Sequence, residues 1–289
     1  MQVHLVDGTY ELFRYFFAMP EHINDNGDQV GAVRGVLGSV LNLVEGGATH
    51  VGVATDHVIP SFRNEMWDGY KDGSEIDPRI EEQFGLLEDA LMAAGFTVWP
   101  MIEVEADDAL AAAAAVATSD ERVERAIICT PDKDLAQCVR ADGRVVQLDR
   151  RNEKFYDWAG VIEKFGVSPT SIPDYLGLVG DTADGFPGLP GWGAKSASLV
   201  LAEYDHIEAI PHDAADWTVE VRGAAKLAKT LHDHFDEALL FRRIATVETD
   251  LDVGEVDDWR WTGPTDAFAK MCDRLDAPAL TRRAASLIR

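Results

Sequence analysis

Apolar residues follow two spacings along the chain. Short, mainly apolar runs at Val3–Asp7, His50–Thr55, Phe96–Pro100, Ala126–Cys129 and Val145–Leu148 have the length and composition of buried strands. Between them, apolar positions recur at helical spacing. In Gly31–Val44, residues Val33, Val36, Leu37, Val40, Leu41 and Val44 share one face. Tyr10–Met19, Asp77–Ala94 (with Pro78 near its first turn), Glu105–Thr118 and Asp134–Val139 also predict helices. Gly8 and Thr9 are expected to turn the chain after the first strand. This alternation predicts the α/β class, with a mostly parallel, doubly wound sheet through about residue 150.

After Tyr156 the pattern is helical, at Val161–Phe165, at Ile172–Val179 opened by Pro173, at Ala194–Tyr204, and in Ala224–Phe241 and Thr265–Asp276. The expected division is therefore an α/β domain over 1–156 and a helical region over 157–289. The segment 180–193 is dense in Gly and Pro and joins two helices, a helix–hairpin–helix pattern over about 172–204. Gly191 and Gly193 let a backbone come close to a ligand, and N–H groups at the next helix start, with Lys195, make an anion site. Asp56–Gly73, with Arg63, Trp67, Tyr70 and Lys71, is long for a loop in a compact domain.

Acidic residues stand just past the apolar runs. Asp7 follows Val3–Val6, Asp56 follows Val51–Thr55, and Asp132 and Asp134 follow Ala126–Thr130. Glu105-Ala106-Asp107-Asp108 opens the alanine-rich helix, and Asp181 and Asp184 lie in the Gly-rich segment. Acids in a first helical turn also compensate the helix dipole, worth about 0.3–1 kcal/mol each. The repetition along one rim asks for more than that. Ligands of open α/β sheets bind beyond the carboxyl ends of the strands. Clustered carboxylates disfavour one another's ionisation, and hard oxygen donors suit Mg²⁺ or Mn²⁺.

The chain has 289 residues, 46% of them hydrophobic, enough for a full core. It has no apolar run of about 18 residues and no signal-peptide pattern at its start, so a cytoplasmic protein away from membranes is expected. Three cysteines without metal-ligand spacing fit a reducing compartment. The net charge of −25 argues against nucleic-acid binding unless the field is locally positive. Adaptation to high salt is one reading of the excess acid, and solvated surface another.

Taken in order, the blocks Leu5-Val6-Asp7-Gly8 with Arg14, Ser61-Phe62-Arg63, Gly69-Tyr70-Lys71, Glu105–Asp108, Thr130–Leu135 and Gly180–Gly193 resemble the structure-specific 5′ nucleases. These include flap endonucleases and the 5′→3′ exonuclease domain of bacterial DNA polymerase I. The resemblance runs from Val3 to about Val247. It implies a PIN-like 5′ nuclease fold and a two-metal phosphodiester hydrolase. Asp7, Asp56, Glu105, Asp107 and Asp108 would hold the first metal site. Asp132, Asp134, Asp181 and Asp184 would complete or serve the second. Mg²⁺ is the implied metal, with Mn²⁺ able to substitute, and K⁺ is implied at the helix–hairpin–helix loop. A region of about 57–94 would form an arch for single-stranded 5′ ends. The implied substrates are DNA with a 5′ flap, nick or end, including RNA–DNA primers, and no fused polymerase domain is expected.

Two metals about 3.5–4 Å apart would serve the attacking and leaving oxygens, so no histidine base is needed. Lys71 and Arg63, then Arg14, are the candidates for stabilising phosphate charge. Tyr70, for base stacking, and Gly188, Gly191, Gly193 and Lys195 are the candidate DNA contacts. Bacterial relatives carry a basic residue soon after Gly-Tyr-Lys, where Ser74 and Glu75 stand here. That departure motivates a competing reading, a branched-DNA binding protein that cuts poorly. A ribonuclease of the small α/β nuclease fold is disfavoured by the helix–hairpin–helix. A phosphate-handling α/β enzyme is disfavoured by the lack of a P-loop or dinucleotide fingerprint.

Overall fold

A computed structural model describes residues 1–288. They form two compact units. The first comprises Met1–Ile59, Gly73–Thr130 and Thr249–Arg289, the second Pro60–Asp72 and Pro131–Glu248.

In the first unit, strand β1 (Gln2–Asp7) passes directly into helix α1 (Gly8–Ala18). The expected turn at Gly8 is absent because Asp7 caps the helix there, its Oδ1 accepting from Tyr10 N at 2.7 Å. Helix α2 (Gly31–Glu45) and strand β2 (His50–Asp56) follow the expected spans closely. The stretch expected as one helix over Asp77–Ala94 is divided into a single turn, Pro78–Glu81, and helix α3 (Phe84–Ala93). Strand β3 (Thr97–Met101), helix α4 (Ala106–Ser119) and strand β4 (Arg125–Cys129) complete this part.

The four strands are parallel in the order β3-β2-β1-β4. Asp7 lies opposite Ala54, and Asp56 opposite Met101. The carboxyl ends of the strands therefore share one rim. Helix α4 lies against all four strands, and its alanines from Ala109 to Ala114 are buried. Small side chains let its backbone approach the sheet closely, and alanine gives up no side-chain entropy in a helix.

The second unit has a 3₁₀ turn at Asp134–Cys138 where a helix was expected. Strand β5 (Val145–Asp149) pairs antiparallel with β6 (Lys154–Tyr156), a short strand without an apolar run to reveal it. Helices α5 (Trp158–Phe165), α6 (Ile172–Val179), α7 (Ala194–Tyr204), α8 (Ala224–Asp233) and α9 (Phe235–Ala245) follow. The periodic stretch Ala224–Phe241 is thus two helices, separated at His234. Their core gathers Leu176, Phe186, Val200, Leu201, Phe241 and Ile244.

The last segment returns to the first unit. Trp259 meets Trp99 edge-on at 5.5 Å, and both indole N–H groups donate to Val253 O. Helices α10 (Phe268–Arg274) and α11 (Pro278–Ser286) close the described chain. The acidic tract before them is anchored by buried Val253, Val256 and Trp259.

Candidate functional site

The rim of the first unit carries its acids in fixed orientations. Asp7 is buried, and besides capping α1 its Oδ2 accepts from Thr130 Oγ1 at 2.9 Å. Asp56 Oδ1 accepts from Ala106 N at 2.8 Å, which ties the end of β2 to the start of α4. Glu105 is the N-cap of α4, and its N–H donates to Asp108 Oδ2 at 2.9 Å. Asp108 is fully buried and Asp107 half-buried. Each of these carboxylates extends beyond the carboxyl end of the sheet or from the first turn of α4.

In the second unit, one carboxylate oxygen from each of Asp134, Asp181 and Asp184 lies within 4.8 Å of the others. Asp134 is buried, and its Oδ1 has no hydrogen-bond partner among the described residues. Burial, then the charges of Asp132, Asp184 and Asp181, pushes its carboxyl well above the usual range. Asp132 Oδ1 accepts from Asp134 N at 3.0 Å, and Gln147 Nε2 donates to the Asp132 carbonyl. Asp181 Oδ1 accepts from Ala183 N at 2.9 Å. Two ammonium groups sit on the triad. Lys133 Nζ pairs with Asp181 Oδ2, and Lys71 Nζ lies 2.9 Å from Asp184 Oδ1. An orphaned buried oxygen, two further carboxylates and two ammonium groups on them fit a hard cation site.

The other expected site residues differ in role. Lys71 is fixed by its backbone, its N–H donating to Asp184 O at 2.9 Å. Arg63 is buried; its Nε donates to Ile244 O at 2.8 Å and its Nη2 to Thr246 O at 3.2 Å. Those carbonyls make it a clamp within its unit rather than an exposed phosphate ligand. Tyr70 is also a correction. At 5% exposure it packs among apolar residues and offers no free ring face to a base. Arg14 pairs with Glu11, a fully buried acid, and stacks 4.3 Å from the Tyr15 ring centroid. Burial works against the Arg14 charge, but Glu11 prevails and its pKa is raised. The stretch 57–94, expected as an arch, divides between the units, and α3 within it is a core helix with Leu87 and Leu91 buried.

The helix–hairpin–helix is present as α6, the loop 180–193 and α7. Gly180 and Gly188 are required by the loop itself. Both have positive φ, and a Cβ on Gly188 would lie 2.3 Å from Gly180 N. Gly193 has an extended backbone and open space where a Cβ would be, so nothing inside the fold demands glycine there. Its N–H donates to Ser196 Oγ at 3.1 Å, so this donor is already engaged. Gly191 and Lys195 are exposed, while Trp192 is buried against Trp217.

Two family models match consecutive stretches of the chain, 5′-3′ exonuclease, N-terminal resolvase-like domain, over residues 2–166, and 5′-3′ exonuclease, C-terminal SAM fold, over 167–267. The chain belongs to the 5′-3′ exonuclease family. It is 34% identical over 258 residues to DNA polymerase I of Pseudomonas aeruginosa, a match covering 88% of this chain and 28% of that one. It spans less than a third of the DNA polymerase I relatives it matches. It is 30% identical over 258 residues to the 5′-3′ exonuclease of Buchnera aphidicola, covering 86% of this chain and 82% of the relative. Its fold is similar to T5 5′-exonuclease with bound zinc ions (TM-score 0.66, 16% identity, 99% and 98% of the two chains). It is also similar to the catalytic core of Rad2 in complex with DNA substrate (TM-score 0.65, 16% identity, 99% and 92%). The resemblance read from the motif blocks is thereby borne out.

Sequence reasoning passed over Lys133, although it stands inside the Thr130–Leu135 block of this exonuclease-family chain. The signal available was a lysine between two acids, Asp132 and Asp134. Glu11 was missed too, an acid three residues before Arg14 on the same helix face. No helix among the described residues is long and apolar enough to cross a membrane.

Proposed function

We propose that this chain is a divalent-metal-dependent nuclease that hydrolyses phosphodiester bonds in DNA at 5′ ends, nicks and single-stranded 5′ flaps, including RNA-primed 5′ strands. In this reading it acts in the cytoplasm, in replication and repair. The observation that carries it is Asp134, a buried carboxyl with an orphaned oxygen beside Asp181 and Asp184. A domain keeps such a group at a cost of about 1–3 kcal/mol when it lacks its partner. A divalent cation, Mg²⁺ with Mn²⁺ substituting, is that partner.

Asp7, Asp56, Glu105, Asp107 and Asp108 hold one set of cation ligands, and Asp132, Asp134, Asp181 and Asp184 the other. Bound divalent cations supply a water of lowered pKa and stabilise the leaving oxygen. The protein's part is orientation. Backbone N–H groups of Tyr10, Ala106 and Ala183 each fix one oxygen of Asp7, Asp56 and Asp181. Lys71, about one-third exposed, supplies positive charge to the scissile phosphate. The helix–hairpin–helix, through the α7 N-terminus, open-sided Gly193, Gly191 and Lys195, holds duplex phosphates, with K⁺ in its loop. The carboxylate sets speak for cleavage over recognition alone.

Lys71→Ala is expected to slow single-turnover cleavage about 100-fold while changing DNA affinity by less than about threefold. Rapid-quench kinetics beside a binding isotherm separate the two. Equal rates for variant and parent remove Lys71 from the chemistry.

The decisive experiment is cleavage of a 5′-labelled flap duplex with Mg²⁺, Mn²⁺ or EDTA across a range of KCl. Metal-dependent product of defined length near the junction is expected. Salt acts both ways, since it shortens the range of repulsion from about 10 Å at 0.1 M to about 3 Å at 1 M and weakens phosphate contacts. Binding without product in every metal would sink the nuclease reading.

A further inference from the structure

We propose that Lys133 is the built-in counter-ion of the Asp134–Asp181–Asp184 triad. It holds Asp181 in place while the site lacks metal, competes with the cation for the same oxygen, and so sets the site's metal affinity. This rests on the metal-binding reading above and deepens it.

Asp181 is 4% exposed and has each oxygen committed. Oδ1 is fixed by the Ala183 N–H at 2.9 Å, and Oδ2 by Lys133 Nζ. A metal ligated by Asp181 through Oδ2 needs the lone pairs that the ammonium occupies. The two cations cannot share them at contact distance, because like charges repel strongly in a partly desolvated site. Lys133 has a way out. Its side chain is about one-third exposed, and four flexible carbons let Nζ swing aside without moving the backbone.

Lys71 stands on Asp184 in the same manner, at 2.9 Å. Two ammonium groups thus face three carboxylates, and Asp134 is left with its orphaned oxygen. The pairing explains how the acids stay gathered without a metal. It also implies that metal loading is an exchange of cations rather than the filling of a vacant anionic hole. Lys133 is therefore a positioning residue, acting on the metal through Asp181.

The test uses the full chain, Lys133→Met and Lys133→Arg, with Mn²⁺ titration calorimetry and thermal melts in EDTA. The isotherm lost in Asp181→Asn marks the site in question. Lys133→Met is expected to bind Mn²⁺ there about tenfold more tightly, since a competing charge is gone. It should melt below the parent in EDTA and gain more on adding Mn²⁺. Lys133→Arg should stay near the parent in both. A lower melt with unchanged Mn²⁺ affinity would overturn the proposal and leave Lys133 a packing residue. Should Lys133→Met not fold, ¹³C-methylated lysine NMR on the parent decides, with the Lys133 signal identified by its loss in Lys133→Arg. That signal is expected to shift on saturation with Mg²⁺, and an unmoved one overturns the proposal. If the parent binds no Mn²⁺, the metal reading itself fails, an outcome distinct from bound metal that ignores Lys133.

Discussion

Asp134→Asn is expected to have two effects of opposite sign. With Mg²⁺ it should lower flap cleavage about a thousandfold or more, a loss of roughly 4 kcal/mol of transition-state stabilisation. In EDTA it should make the protein more stable than the parent. The first effect follows from removing a charged ligand from the triad. The second follows from burial. Asp134 Oδ1 lies in the interior without a partner, and burial followed by the Asp132, Asp184 and Asp181 charges holds its carboxyl well above 3.8. Between 3.8 and its folded value the native state keeps a proton that the unfolded chain has released. Stability of the metal-free protein therefore falls as pH rises through that window. Asparagine has no such slope, and its amide can donate to the neighbouring carboxylates. Urea melts in EDTA should converge for parent and variant near pH 4, and above the window favour the variant by about 1–3 kcal/mol. A variant no more stable than the parent at pH 8 would contradict the strain assigned to Asp134, whatever happened to cleavage.

Arg63→Ala should cost roughly 2–5 kcal/mol of stability, because one buried and one part-buried carbonyl each lose a donor. The guanidinium reaches Ile244 O and Thr246 O, residues more than 180 positions away, and lies 4.6 Å from the Phe62 ring centroid. Lysine should not rescue it, since one ammonium cannot reproduce a planar fork of donors. The measurement is a denaturant midpoint for Ala and Lys variants, read beside the cleavage rate of whatever remains folded. Parental stability with slow cleavage would return Arg63 to the phosphate. Loss of stability with parental cleavage by the folded fraction would fix it as a clamp.

These two residues show where reading the chain succeeds and where it fails. Asp134 was legible because an acid just past a strand, beside a second acid, is a local pattern. The same holds for Asp7, Asp56 and Glu105–Asp108, whose placement follows from strand ends and a helix start. The glycines of the hairpin were legible as a loop, but Gly188 serves that loop's own packing, while Gly193 has open space beside it. The burial of Arg63 and Tyr70 was not legible, because a polar or aromatic residue in a long loop has the same sequence appearance whether buried or exposed.

The apolar strands of the parallel sheet, most of the helices, the rim of acids and the family motifs were determined by the sequence itself. They depend on periodicity, capping and spacing over a few residues, which the chain states directly. The tertiary structure alone decided that Lys133 sits on Asp181 and Lys71 on Asp184, that Arg63 is spent on carbonyls, and that one oxygen of Asp134 lacks a partner. Those pairings join residues from 48 to 183 positions apart. Burial and charge pairing at such separations arise only when the whole chain closes on itself, and no local pattern carries them.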